Sequence, residues 1–161
     1  MHAAKPLEKS ASRGISTRDP STIVKCGDEY WTFYTGRGIP SYRSKDLVNW
    51  TRGPRVFDRS PDWVAETVPN NKEGIFWAPD VFKVGDEYRL YYSVSSMGSM
   101  DSAIALATNA TLDPDDPNFE WKDQGVVVRS QTGATGTRSI LRFFRTTTGA
   151  SGWRLVRIGA G

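Results

Sequence analysis

One short phrase occurs twice in this chain, and it restricts the fold more than any other feature. Gly27-Asp28-Glu29-Tyr30 returns as Gly85-Asp86-Glu87-Tyr88, and β-branched and aromatic residues flank both copies. A Gly-Asp pair between two such runs is typical of a β-hairpin, because glycine adopts the positive φ angle that a tight turn requires. The sequence therefore predicts a repeated β unit.

An aspartate and a proline introduce each copy. Asp19 precedes the first hairpin, and Asp80 precedes the second within the run Ile75–Phe82. A charge among bulky aromatic and β-branched residues is costly, so we expect the Asp80 carboxylate to serve a function. Counting back from the shared glycines places Thr22, and not Asp19, opposite Asp80. The pattern indicates entry strands that converge on one place but carry different side-chain roles.

Short strands separated by turn residues fill both units. The predicted strands of the first unit are Thr22–Cys26, Tyr30–Thr35, Ile39–Ser44 and one near Arg55–Phe57. Those of the second unit are Val81–Val84, Glu87–Ser95, Ser102–Thr108 and Gly125–Arg129. The connector from Asp58 to Gly74 is rich in Pro, Asn and Gly, and we expect no regular structure there. No convincing amphipathic helix is found, so the predicted fold is all-β, with four-stranded sheets repeated around an axis.

Composition excludes several classes of protein. A chain of 161 residues that is 38% hydrophobic and 12% aromatic can bury a core. No stretch approaches the roughly 18 apolar residues of a membrane span, and the N-terminal residues lack the apolar region of a secretory signal. The single cysteine, Cys26, forbids an internal disulfide and is expected to be a small buried residue. With His2 as the only histidine, we expect neither a Cys/His metal site nor a Ser-His-Asp triad.

Six motifs, taken in order, resemble those of the glycoside hydrolase family 43 arabinanases. They are Arg18–Ser21, Gly38–Pro40 with Ser44–Trp50, Trp77–Asp80, Tyr91–Ser95, Ala103–Thr108 and Asp123–Gly125. The resemblance runs from Asp19 to about Ser130. It implies a five-bladed β-propeller, of which residues 19–130 would form the first two blades after an irregular leader at 1–18. It also implies inverting hydrolysis of α-1,5-linked L-arabinan at a groove in the hub.

Inversion needs one carboxylate to activate a water and a protonated acid on the other face of the sugar. By resemblance, Asp19 is the general base, and Asp80 is the carboxylate that orients the acid and raises the acid's pKa by like-charge proximity. Trp77 is either a stacking face for a sugar or a core aromatic. The family's general acid is a Glu on a later blade, and no Glu follows Glu120 here. The chain by itself is therefore expected to be inactive.

The C-terminal residues have an unusual charge. Residues 131–161 hold five arginines but no Lys, Asp or Glu, whereas residues 1–130 hold 16 basic and 18 acidic residues. A solvated or nucleic-acid-binding arm is one interpretation. We prefer another, because codons for Ala134–Leu141 can be chosen that read Asp-Trp-Asn-Ala-Ile-Asp-Pro in a shifted frame, a phrase that resembles the family's third blade. Residues 131–161 are therefore interpreted as an aberrant tail, out of frame from about Ala134.

Several alternatives remain at this stage. A family 43 xylosidase or arabinofuranosidase, or a non-catalytic carbohydrate-binding propeller, would carry similar motifs. We expect a polysaccharide or oligosaccharide partner such as arabinan, and no nucleic acid or membrane. No cofactor or metal is expected in this chain, although the resemblance allows a hub calcium in the full-length protein. The family also suggests an extracellular or periplasmic location, for which the sequence offers no signal peptide.

Overall fold

The computed structural model describes residues 15–130 and two further strands at residues 138–145 and 151–158. The regular structure among those residues consists of strands and one short helix, α1 (Trp63–Thr67). In chain order the strands are β1 (Val24–Cys26), β2 (Glu29–Phe33), β3 (Gly36–Arg37), β4 (Ser41–Ser44), β5 (Thr51–Gly53), β6 (Ile75–Val84), β7 (Glu87–Ser95), β8 (Ser102–Asn109), β9 (Lys122–Arg129), β10 (Arg138–Arg145) and β11 (Ser151–Ile158).

Two antiparallel sheets correspond to the two repeated units. The first sheet has the strand order β1-β2-β4-β5, and the second sheet has the order β3-β6-β7-β8-β9. Strand β3 belongs to the first unit in sequence, yet it pairs with the start of β6 through Gly36 and Arg37. The predicted all-β class is confirmed. The second sheet has one strand more than the four expected, because the first unit contributes β3 to its edge.

The two sheets bury faces that are not equivalent in the repeat. In β2 the buried large side chains are Trp31 and Phe33, whereas in β7 they are Tyr88, Leu90 and Tyr92. Successive side chains of a strand point to opposite faces, and the repeat matches Tyr88 with Tyr30 rather than with Trp31. The large side chains that the two units contribute to one shared core therefore come from opposite faces of the repeat. This arrangement allows similar sheets to stack around an axis as propeller blades.

An aromatic cluster fills part of this core. The rings of Phe57, Phe76 and Tyr92 contact one another edge to face, with centroids 5.2–5.8 Å apart. Phe57 comes from the stretch after β5, and Phe76 and Tyr92 come from β6 and β7. Edge-to-face packing is favourable because the positive edge of one ring meets the negative face of the next. The cluster therefore holds the end of the first unit against the second sheet.

The predicted strand near Arg55–Phe57 is wrong. The fourth strand of the first sheet is β5, which lies earlier, and Val56 and Phe57 instead donate backbone hydrogen bonds to Ile39 and Gly38. Both side chains are buried, so their hydrophobic pattern indicated core burial and not sheet pairing. The predicted third strand also begins two residues too early, since Ile39 has a left-handed φ of 56°.

The connector between the two units contains regular structure, contrary to the prediction. Five of its residues form α1, whose Val64 is 2% exposed. The Trp63 indole N–H donates to Asp123 Oδ2 at 2.9 Å, which attaches this helix to β9. Burial of Val64 and this hydrogen bond stabilise a helix too short to persist alone. Within the described residues, α1 falls short of the length and apolarity that a membrane-spanning helix needs.

Two of the predicted segments lie partly outside the described residues. The leader at 1–18 is described only from residue 15 onward. The tail at 131–161 is described only as β10 and β11, which pair with each other in antiparallel register. The predicted shift of reading frame stays a prediction.

Candidate active site

Asp19 lies in a segment that leaves the first sheet just before β1. Its φ of 48° is left-handed, and its side chain is exposed. Directly after Pro20, Ser21 returns the chain to the sheet: its N–H donates to the Phe33 carbonyl at 2.7 Å, and its Oγ accepts the Phe33 N–H at 2.9 Å. These two hydrogen bonds hold Ser21 against β2. Asp19, two residues earlier, lies outside the sheet and is exposed to solvent.

Thr35 connects Asp19 to the second sheet. Its hydroxyl donates to Asp19 Oδ2 at 2.8 Å and accepts the Ala78 N–H at 2.8 Å. Its own N–H donates to the Arg18 carbonyl at 2.9 Å. Thr35, which follows β2, therefore holds both the backbone and the carboxylate of the Asp19 segment.

Asp80 lies inside a strand and not ahead of one. Strand β6 begins at Ile75, whereas the prediction began it at Val81, and its pairing with β7 shifts between Trp77 and Asp80. Pro79 falls within this irregularity, where a missing N–H costs no ladder hydrogen bond. The strand therefore includes Pro79, although the sequence predicts that it begins only at Val81.

The Asp80 carboxylate binds backbone amides of both units. Its Oδ1 accepts the N–H of Thr22 at 3.0 Å and that of Val81 at 3.1 Å. The Thr22 bond joins the two positions that counting back from the shared glycines had placed opposite each other. We call the residues that link the sheets here (Asp19, Thr22, Thr35, Ala78 and Asp80) the junction. The structure thus brings the Asp19 and Asp80 segments together by two separate hydrogen-bonded routes.

Trp77 is half-buried in β6, opposite Ser93. It lines an open pocket of about 410 Å³ together with Asn71, Ser95 and Met97, among others. The Asn71 side-chain amide donates to the carbonyls of Ile75 and Ser95 at 2.8 and 3.1 Å, which fixes one wall. An indole beside amide and hydroxyl groups suits a sugar ring, which has one apolar face and a polar edge.

No three side chains of His, Cys, Asp or Glu among the described residues are arranged to hold a metal ion. At the junction, Asp19 Oδ2 accepts a hydrogen bond from the Thr35 hydroxyl, and Asp80 Oδ1 accepts one from the Thr22 N–H. The hub calcium of a full-length protein stays an expectation.

Sequence reasoning missed Thr35. It follows the aromatic run of β2 and precedes Gly36, and nothing in its local sequence separates it from other threonines. Thr22 was found only as the position that the repeat matches with Asp80. Hydrogen bonds between units depend on how the sheets stack, which a single repeat does not encode.

The comparisons with known proteins agree with this architecture. Residues 14–140 match the family model of glycosyl hydrolases family 43. The match continues beyond Ser130, where the motifs ended.

Two curated relatives are 39–40% identical to this chain. One is the extracellular exo-α-(1→5)-L-arabinofuranosidase ArbA of Cellvibrio japonicus, 40% identical over 74% of this chain and 34% of its own length. The other is the extracellular endo-α-(1→5)-L-arabinanase 1 of Bacillus subtilis, 39% identical over 70% of this chain and 34% of its own length. The chain spans about a third of the length of these relatives.

Solved arabinanases have the same fold. The Cellvibrio cellulosa α-L-arabinanase complexed with arabinohexaose aligns over 90% of this chain and 49% of its own, with a TM-score of 0.74 and 32% identity. The native Bacillus subtilis arabinanase aligns over 84% of this chain and 46% of its own, with a TM-score of 0.67 and 33% identity. The two sheets are thus part of a five-bladed β-propeller, and the chain belongs to glycosyl hydrolases family 43.

Proposed function

We propose that this chain carries the general-base part of an inverting hydrolase that cleaves α-1,5-linked L-arabinan. The relatives named as arabinanases and the arabinohexaose complex of a similar structure support this substrate class. The observation that carries the proposal is the exposed Asp19 carboxylate, held by Thr35 where the two sheets meet.

The two oxygens of Asp19 are not equivalent. Oδ2 accepts the Thr35 hydroxyl, and no described residue donates a hydrogen bond to Oδ1. In the proposed reaction, Oδ1 takes a proton from a water as that water attacks the anomeric carbon. The bond to the leaving oxygen breaks, the general acid protonates that oxygen, and the product has the inverted configuration.

We assign Asp80 the role of orienting carboxylate. Its hydrogen bonds to the amides of Thr22 and Val81 support this role, because they fix the start of the first hairpin relative to β6. Raising the pKa of the general acid by like-charge proximity is the second role proposed for it. That second role requires the acid to be present beside it.

The general acid is assigned to the part of the family domain that this chain does not match. Glu120 is the last glutamate of the sequence, and it is exposed ahead of β9. It forms a weak ion pair with Lys122 at 3.8 Å, which is typical of a surface carboxylate. We therefore propose that the 161-residue chain does not hydrolyse arabinan unaided.

Trp77 and its pocket are proposed to bind a sugar unit of the substrate. Ala78, next to Trp77, donates its N–H to the threonine that holds Asp19. The pocket and the junction are therefore connected through neighbouring residues of β6. The alternative, a purely structural tryptophan, predicts that its removal changes stability and leaves the KM for the substrate unchanged.

The test compares the 161-residue chain with a version whose reading frame is restored from about Ala134 onward. We expect the restored protein to release inverted sugars from linear arabinan, which anomeric NMR signals detect directly. Asp19→Ala should lower this rate by about 10²- to 10⁴-fold, and azide should partly restore it because a small nucleophile can replace the activated water. Asp28→Ala, which removes an equally exposed aspartate from the first hairpin turn, is the matched control and should retain full activity.

Two outcomes would contradict the proposal. A restored protein that binds arabino-oligosaccharides but cleaves neither arabinan nor aryl arabinofuranosides would be a carbohydrate-binding propeller. Release of sugar by the 161-residue chain, abolished by Asp19→Ala, would show that the acid lies within this chain.

An exo-acting arabinofuranosidase is the second candidate, because one of the two relatives described above carries that name. Product analysis separates the candidates. Early release of arabinose alone indicates exo action, whereas a ladder of oligosaccharides indicates endo action. A restored protein that cleaves aryl xylosides in preference to arabinan would be a family 43 xylosidase.

A further inference from the structure

We propose that Thr35 is the positioning residue of the Asp19 base, and that it makes the orientation of this carboxylate depend on the second sheet. The inference deepens the proposed function, since it takes Asp19 as the base. It rests on the two hydrogen bonds of one hydroxyl, each 2.8 Å long, one to Asp19 of the first unit and one to Ala78 of the second sheet.

The chemistry of the three groups allows only one arrangement of hydrogens. A backbone N–H can only donate, so the Thr35 oxygen must accept from Ala78. An ionised carboxylate can only accept, so the single hydroxyl hydrogen must point to Asp19. Turning the O–H bond would break the hydrogen bond to Asp19, and a change of χ1 would break both hydrogen bonds, so the Asp19 carboxylate receives a donor of fixed direction.

Thr35 is well suited to hold this geometry. Its N–H is bound to the Arg18 carbonyl, and the neighbouring Tyr34 N–H is bound to the Pro40 carbonyl at 3.0 Å. A β-branched side chain on a fixed backbone has few χ1 rotamers, so its hydroxyl is placed with little freedom. Serine could make the same bonds, but it would have more rotamers available.

The two partners of Thr35 both have strained backbones. Asp19 has a φ of 48° and Ala78 has a φ of 43°, in the left-handed region that residues with a Cβ seldom adopt. Such a conformation is unfavourable for a residue with a Cβ and persists only where the surrounding structure holds it. Because both strained residues bind the same hydroxyl, Thr35 is the point at which the Asp19 loop and the β6 irregularity hold each other in place.

A consequence for catalysis follows. With Oδ2 fixed by Thr35, Oδ1 is the oxygen presented to the attacking water. Any movement of Ala78 in β6 would turn the carboxylate through the shared hydroxyl. The second sheet therefore contributes to the base without supplying a reacting atom.

The test is an NMR pH titration of the 161-residue chain that follows the amide signals of Ala78 and Thr22. We expect the Ala78 amide to respond to ionisation of Asp19 through the Thr35 hydroxyl, and the Thr22 amide to respond to Asp80 directly. Thr35→Val, which keeps the shape and removes the hydroxyl, should abolish the Ala78 response and leave that of Thr22. It should also raise the exchange rate of the Ala78 amide by about 2- to 10-fold, as loss of one hydrogen bond predicts.

Three variants serve as controls. Thr35→Ser should restore the Ala78 response, and Asp19→Asn should abolish it with Thr35 intact. Asp80 is the other carboxylate at the junction, so Asp80→Asn should remove the Thr22 response alone. If Thr35→Val does not fold, the serine and asparagine variants still decide the question.

An Ala78 amide that follows pH identically in the parent chain and in Asp19→Asn would overturn the inference. These measurements need no hydrolysis, so their outcome is independent of the substrate. A frame-restored protein that does not hydrolyse arabinan, together with a coupled Ala78 amide in the 161-residue chain, would refute the proposed function and leave the hydrogen-bonded arrangement standing.

Discussion

The two hairpins share a turn but differ in what precedes it. Both turn through Gly-Asp-Glu-Tyr, yet the entry strand of the first, β1, has 3 residues, whereas that of the second, β6, has 10. In the first hairpin the chain leaves the sheet before Ser21, and in the second it passes through an irregularity at Pro79 and stays paired. The turn therefore determines the hairpin, while the residues before it decide whether the aspartate lies on a loop or inside a strand.

Side chains next to the turn show the same contrast. A lysine lies over a tyrosine ring in both hairpins, Lys25 over Tyr30 at 5.5 Å and Lys83 over Tyr88 at 5.2 Å. Tyr88 is buried between the sheets and donates its hydroxyl to the Lys25 carbonyl at 2.7 Å. Tyr30 is only half-buried. Equivalent residues therefore have different energetic importance, according to which face of the sheet is covered.

The largest expected difference in the loss of stability is between Leu90 in β7 and Thr32 in β2, which occupy the same position of the repeat. Leu90 is 0% exposed, so Leu90→Ala should lower the free energy of unfolding by about 2–5 kcal/mol. Thr32→Ala should cost about 1 kcal/mol, since it removes one hydroxyl that bonds to Ser21. Urea denaturation measures both. Equal losses would show that the two buried faces contribute equally, against the comparison.

The next pair is Tyr92 and its repeat equivalent Tyr34. Tyr92 is 1% exposed and donates its hydroxyl to Asp123 Oδ1 at 3.1 Å. Tyr92→Phe should therefore cost about 1–2 kcal/mol. Tyr34 is half-buried and stacks on Tyr42, so Tyr34→Phe should cost less than about 1 kcal/mol. Thermal unfolding monitored by near-UV circular dichroism gives the ranking, and the reverse order would contradict it.

Alkaline pH should weaken the second unit through Tyr92. Burial, together with the Asp123 charge, raises the pKa of Tyr92 well above its ordinary value of 10.0. Above the ordinary value of 10.0 the unfolded chain loses the Tyr92 proton while the folded chain keeps it. The free energy of unfolding therefore falls as pH rises. Urea midpoints measured between about pH 8 and 11 should fall less steeply in Tyr92→Phe than in the parent chain. Parallel curves would show that Tyr92 ionises equally in both states.

The smallest effect concerns the loops after β4 and β8. Asp46 accepts hydrogen bonds from the amides of Val48 and Asn49, and those of Asn49 are the main cause that holds the pKa of Asp46 below its usual value of 3.8. Its stabilising contribution is present above that pH and is lost as pH falls through the folded-state pKa. In the other loop the neutral amide Asn109 accepts from Thr111 and Glu120. Acid should therefore shift the amide signals of Val48 and Asn49 but leave that of Thr111, and a matching shift at Thr111 would refute the distinction.

Much of the fold could be predicted because the decisive signals are local. The shared turn and the β-branched runs were sufficient for the strand Glu87–Ser95, which the structure reproduces at the same bounds. Errors arose where tertiary contacts decide the outcome. Val56 and Phe57 have strand-like side chains but fill the core, and α1 depends on Trp63 reaching Asp123. At the site, the repeat matched Thr22 with Asp80, whereas Thr35 depends on contact between units and left no sequence signal.

Strand β3 belongs to the first unit in sequence but pairs with β6 of the second sheet. This pairing affects the order in which the strands can form hydrogen bonds during translation. Gly36 and Arg37 leave the ribosome well before their partners Phe76 and Ile75 have been synthesised. The first unit must therefore wait with an unmatched backbone segment next to Thr35 until the second entry strand emerges. Domains generally fold as units from the N-terminus, but here the earliest stretch that can complete its hydrogen bonding includes both hairpins. Complete backbone pairing of the first unit consequently needs residues from both blades.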